Sequence, residues 1–154
     1  MKRVCFLSMD DLSGYVADDD LAIPALADLG WRVDTVSWRD TNTDWNAFAA
    51  VIIRTTWDYQ DKLPAFRAWV QRVEAATRLW NPAEVVVWNT HKHYLRQLQA
   101  AGVPLAPTVW LDRGQRVEIG SLVRERGFAQ GFLKPCVGAT ARETLRFAAT
   151  SEGI

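Results

Sequence analysis

The sequence predicts an α/β protein with a doubly wound, mostly parallel sheet, followed by the beginning of a smaller α+β unit. Three observations carry that reading. Short apolar runs alternate with amphipathic stretches as far as Gly102. The runs themselves, such as Val4-Cys5-Phe6-Leu7 and Ala50-Val51-Ile52-Ile53, are continuous rather than alternating, as strands covered on both faces are. Beyond Pro104 and Pro107 the alternation gives way to shorter, mixed segments.

Taken in order, Val4–Leu7 predicts a first central strand. Leu21, Ala22, Ala25, Leu26 and Leu29 recur at helical spacing, with Asp18 to Asp20 available as N-cap, Gly30 as terminator and Pro24 required in the opening turn. Val33–Trp38 reads as a second strand, Asp44–Phe48 as a short helical turn and Ala50–Ile53 as a third strand. Between Asp61 and Thr77, Leu63, Phe66, Trp69, Val70 and Val73 form one apolar stripe, with Pro64 in the first turn, where its missing N–H costs nothing. Asn81-Pro82 marks a turn, and Val85-Val86-Val87-Trp88 reads as a fourth strand or buried extended run. Thr90 then caps a helix through Ala101, ended by Gly102. The remainder offers strands at Thr108–Leu111, Gly131–Lys134 and Thr144–Phe147, and an amphipathic segment over Ile119–Glu125.

Composition narrows the functional classes. Eighteen basic residues balance eighteen acidic ones, so no overall field draws the chain to nucleic acid or to an anionic membrane, and any phosphate site must be local. The apolar run in MKRVCFLSMDDLSG is too short for a signal peptide core or a membrane span, which predicts a cytoplasmic protein. Cys5 and Cys136 are too few for a disulfide framework or a zinc site and are expected as reduced, buried thiols. Most of the eight tryptophans, spread from Trp31 to Trp110, are expected to pack.

In a doubly wound sheet, ligands bind beyond the carboxyl ends of the strands, so the loops after Leu7 and Ile53 are the first candidates. Ser8 to Gly14 has one glycine and the acids Asp10 and Asp11, which argues against a pyrophosphate; the acids read as solvated or as a grip on an amine. In Arg54-Thr55-Thr56-Trp57-Asp58-Tyr59 the arginine either takes a carboxylate with its planar fork or pairs with Asp58 while Trp57 and Tyr59 pack over the sheet edge. His91 and His93 stand two apart, on different faces of a helix, without a third ligand, so no metal is expected there. Lys92 between them is either a solvated lysine or an anion contact in a helix's opening turn. In FLKPCVGATARET, Lys134 ends a strand, and Gly138-Ala139-Thr140-Ala141 is a small-residue flap that either approaches phosphate with its backbone or forms a surface turn.

Taken as an ordered set, RTTWDY, LPAFRAWV, NPAEVVVWNTHKHYLRQLQAAGVPLAPTVW and FLKPCVGATARET resemble the amino-terminal half of the ATP-grasp family, in the bacterial group related to glutathione synthetase and the cyclo-ligase of cycloserine biosynthesis. The resemblance implies a Rossmann-like pre-ATP-grasp domain over 1–88, a linking helix over 89–103 and a partial ATP-grasp nucleotide-binding subdomain over 104–154. It implies ATP with magnesium, phosphorylation of a small-molecule carboxylate, and attack of an amine on the acylphosphate to give an amide-like bond. Lys92, Lys134, Gly138, Ala139 and Thr140 would contact the nucleotide, and Arg54, Trp57, Asp58 and Tyr59 the substrate. The family's metal-binding acids and asparagine, and its transition-state arginine, would follow Ile154, so no catalytic or metal-binding residue is assigned within the chain and the 154 residues are expected to be a fragment that does not complete catalysis. A stand-alone module that binds an amino acid or carboxylate without chemistry is the alternative. Neither nucleic acid nor membrane is expected as a partner, and an exposed sheet edge makes a homo-oligomer an expectation.

Overall fold

Strand β1 (Lys2–Ser8) is the centre of the first part of the molecule. In the computed structural model, which describes residues 1–148, it pairs in parallel with β2 (Trp31–Ser37) on one side and β3 (Ala50–Thr55) on the other. A two-residue β4 (Leu79–Trp80) joins β3, also in parallel, giving the order β2-β1-β3-β4. Helix α1 (Asp19–Asp28) connects β1 to β2, a 3-10 turn (Trp45–Ala47) precedes β3, and α2 (Leu63–Ala76) connects β3 to β4. The chain divides into two compact units, Met1–His91 and Lys92–Ile154.

Alternation along β1 builds the core of the first unit. Cys5, Leu7 and Met9 face the buried stripe of α2, Phe66, Trp69, Val70 and Val73, together with Trp38, Trp45 and Phe48. Each such aliphatic or aromatic side chain contributes about 1.5–3 kcal/mol by leaving water. The aromatics interlock edge to face: Trp38 meets Phe66, and Trp45 meets Trp69, each pair with ring centroids 5.3 Å apart. Pro64 sits at the start of α2, as its sequence position predicts.

Three local expectations change. Pro24 lies inside α1 rather than in its first turn, and Leu21 and Leu29 point outward, 79% and 75% exposed, so the apolar stripe of this helix is only half used. Val85–Trp88 is not a strand but belongs to helix α3 (Ala83–Asn89). Pro82 presets the backbone before it, Glu74 accepts from the Ala83 N–H at 2.7 Å, and Ala83, Val86 and Val87 turn inward at helical spacing. Consequently Thr90 ends α3 instead of starting a helix: its hydroxyl donates to Val87 O at 2.7 Å and accepts from Arg67 at 2.7 and 3.1 Å. Trp80 and Trp88 are exposed.

The second unit contains α4 (Tyr94–Ala100), α5 (Ile119–Glu125) and an antiparallel hairpin of β5 (Gln130–Leu133) and β6 (Leu145–Ala148). Gly131 faces Phe147 across the hairpin, and a side chain on it would meet the ring at 2.6 Å. The strand expected at Thr108–Leu111 is absent among the described residues. Cys136 is half-buried rather than buried, whereas Cys5 is fully buried, and both are free thiols. Among the described residues no helix is long and apolar enough to cross a membrane.

Candidate functional site

Strand order β2-β1-β3-β4 means that the chain leaves β1 toward one edge and β3 toward the other, so the crevice beyond the carboxyl ends of β1 and β3 is the sheet's switch point. At that place the pairing slips: Leu7 pairs with Ile53 but Ser8 with Thr55, which leaves Arg54 as the extra residue of a bulge. The Thr55 hydroxyl donates to Ser8 Oγ at 2.8 Å and the Met9 N–H to Thr55 O at 3.1 Å, so the two strand ends are tied just beyond the bulge. Arg54 itself lies over the Phe6 ring, 5.7 Å from its centroid, and its Nε donates to Asp19 Oδ1 at 2.6 Å.

Asp58 is therefore not the partner of Arg54. Its carboxylate accepts from Trp38 Nε1 at 2.7 Å and from Arg39 Nη2 at 2.6 Å. Arg39 also lies 3.6 Å from Asp10, which accepts the Ser37 hydroxyl at 2.5 Å. The four substrate-side candidates thus do not converge on one point. Trp57 packs against Tyr15 with the rings tilted and their centroids 5.3 Å apart, and Tyr59 packs on Phe66 at the same separation. Arg39 and Ser37, at the end of β2, escaped the sequence reading, although the rule that singled out the loops after β1 and β3 applies equally to β2.

In the second unit, Lys92 and FLKPCVGATARET come together. Lys92 precedes α4 instead of lying in its first turn: its N–H donates to Cys136 O at 2.8 Å and its ammonium to Gly138 O at 3.2 Å. A Cβ on Gly138 would stand 3.2 Å from Pro135 and 3.9 Å from the Lys92 nitrogen, so glycine lets the flap backbone reach the lysine. Burial holds the Lys92 ammonium below the usual lysine range; Cys136 opposes the shift and the Lys134 charge adds to it. Lys134 lies beyond the end of β5, over the Phe132 ring at 5.2 Å.

Both lysines line a cavity of about 640 Å³ whose remaining wall is largely apolar and includes Leu95, Trp110, Ile119 and Phe128. That size and lining, with a few polar groups at one side, suit a small-molecule ligand. Thr140 and Ala141 hold left-handed backbone at φ 54° and 56°, as does Glu143 at 55°, a conformation that disfavours side-chain-bearing residues. The Ala139 carbonyl accepts from the Thr140 hydroxyl at 2.8 Å and from the Arg142 N–H at 3.1 Å. The described residues contain no group of three His, Cys, Asp or Glu placed to hold a metal ion.

Comparison with known proteins agrees with this architecture. A crystal structure of D-cycloserine synthetase DcsG superimposes with a TM-score of 0.79 at 26% identity, over 95% of this chain and 50% of that one. The cycloserine biosynthesis protein DcsG of Streptomyces lavendulae is 30% identical over 128 residues, which is 81% of this chain and 43% of that protein. The chain thus spans about half the length of the relatives it matches. Residues 4–81 match the family described as D-cycloserine synthetase DcsG, N-terminal domain, and the chain belongs to that family.

Proposed function

We propose that the chain is the amino-terminal part of an ATP-grasp ligase that activates a small carboxylate as an acylphosphate and joins it to an amine. The observation that carries the proposal is that Lys92 and Lys134 both line the 640 Å³ cavity, near enough for the Lys134 charge to act on Lys92. A half-buried ammonium beside a second positive charge is held at an electrostatic cost, and a polyphosphate bound there would offset it. The apolar remainder of the wall would take a nucleobase. Gly138, Ala139 and Thr140 would cover the phosphates with backbone, and Arg54 would receive the substrate carboxylate in the first unit.

Bound ATP would supply the phosphoryl group that turns a carboxylate oxygen into a leaving group. The protein's part in these units is to neutralise phosphate charge at Lys92 and Lys134 and to orient the carboxylate at Arg54. The described residues do not fit a magnesium site, so no step is assigned to that ion here.

Adding ATP at a hundredfold excess over its Kd is expected to stabilise the chain by ~2.7 kcal/mol, read as a rise in Tm. Lys92→Ala and Lys134→Ala should each cut that rise. A folded chain whose Tm ignores ATP, or a rise that survives both substitutions, overturns the nucleotide assignment. The second reading, a binding module without chemistry, rests on the Arg54 Nη groups, which have no hydrogen-bond partner among the described residues. It predicts amino acid binding that is indifferent to ATP.

A further inference from the structure

The two arginines at the carboxyl end of the first unit's sheet are used differently. Arg39 has both terminal nitrogens directed at carboxylates, Nη2 at 2.6 Å from Asp58 and Nη1 at 3.6 Å from Asp10. Its charge is locally neutralised, and the fork is occupied. Arg54 is bound through Nε, and its Nη groups have no hydrogen-bond partner among the described residues. The anchor is asymmetric in depth as well: the Asp19 side chain is 12% exposed and that of Arg54 39%. Asp19 stands at the first position of α1, where the helix dipole favours a carboxylate. The ring of Phe6 lies under the guanidinium, and the bulge between β1 and β3 aims it.

We infer that Asp19 is a positioning residue: it clamps Arg54 at Nε so that the paired Nη groups face the switch-point crevice as a preorganised fork for a carboxylate. This rests on the proposed role of Arg54 and extends it to a residue that the chain supplies from the start of α1, 35 positions away. A carboxylate accepted end-on by the two Nη groups leaves the Asp19 bond intact, so anchor and ligand do not compete. A free arginine would lose side-chain entropy on binding, and the clamp removes that cost in advance. Arg39 cannot do the same, because a ligand there would have to displace Asp58, which is itself held by Trp38.

The test is an NMR titration of the 154-residue chain with D-alanine, followed at the Arg54 Nε–Hε resonance, in the wild type and in Asp19→Asn, Asp19→Glu and Arg54→Ala. Asp19→Asn should weaken D-alanine binding by about fivefold or more and mobilise the Arg54 Nε–Hε group. Asp19→Glu keeps the charge on a longer arm and should bind between the two. Arg54→Ala should abolish binding. Unchanged affinity and an unchanged Nε–Hε signal in Asp19→Asn overturn the positioning role while leaving Arg54 as the receptor. Binding that survives Arg54→Ala, or a wild-type chain that gives no response to D-alanine, overturns the receptor assignment and the clamp together. If Asp19→Asn does not fold, Asp19→Glu decides: wild-type affinity there, with the carboxylate displaced by a methylene, overturns the clamp.

Discussion

The two units bury apolar surface in opposite ways. The first closes a dense core in which Trp69, Phe66, Leu7, Val51, Val70 and Val73 are almost or entirely inaccessible. In the second, Val123 is the one buried apolar side chain among the described residues, Phe132 and Leu145 are exposed, and apolar residues line a cavity of about 640 Å³. A filled core holds polar groups on a fixed frame, as the proposed roles of Arg54 and Asp19 would need. Under the proposed function, the cavity lined by the lysine pair would take up the ligand. The same chain thus separates rigidity from capacity.

Filling the first unit with a void should break the contrast most strongly. Trp69→Ala is expected to cost about 3–5 kcal/mol, measured by urea unfolding, because the residue is 2% exposed and packs on Trp45 and Phe66. A loss below about 1 kcal/mol would mean that this core is as loose as the second unit.

Alkaline pH probes the same core without a new side chain. Burial first, then the nearby Asp34 charge, push the Cys5 thiol from 9.0 up to about 12, against a hydrogen bond at Val36 and the Arg3 charge. Between those values the unfolded thiol loses its proton and the folded one keeps it, so the contribution is complete below pH 9.0 and declines as pH rises toward about 12. The slope should approach ~1.4 kcal/mol per pH unit and vanish in Cys5→Ala. Equal slopes in both proteins would sink the assignment.

Smaller changes test the second unit. Gly131→Val drives a side chain into Phe147 and should cost about 1 kcal/mol as the ring swings away, while leaving the near-UV signal of the tryptophan core intact. Thr140→Gly relieves left-handed backbone in the flap and should stabilise the chain by about 0.5 kcal/mol. Lys92→Met removes an ammonium whose pKa burial lowers and should raise the ligand-free Tm slightly while cutting the response to ATP. A fall in ligand-free Tm would show that the bond to Gly138 outweighs the burial of the charge.

Some of this was readable residue by residue. The stripe Phe66, Trp69, Val70, Val73 with Pro64 ahead of it identifies α2, and the continuous runs at Val4 and Ala50 identify β1 and β3, because the period of burial is written along a single segment. Val85–Trp88 misleads for the same reason. Its run of β-branched residues prefers a strand, and the cap that makes it helical comes from Glu74, nine positions earlier on α2.

What the sequence determined by itself was therefore the α/β alternation and the parallel sheet, since both depend on local periodicity. Tertiary structure decided which polar groups meet: Arg54 with Asp19 across 35 positions, Asp58 with Trp38 across 20, and Lys92 with Gly138 across 46. In the unfolded state no acid is held against any one arginine, and a distant partner is selected only when strand register, a bulge and a helix start bring the pair within hydrogen-bonding distance.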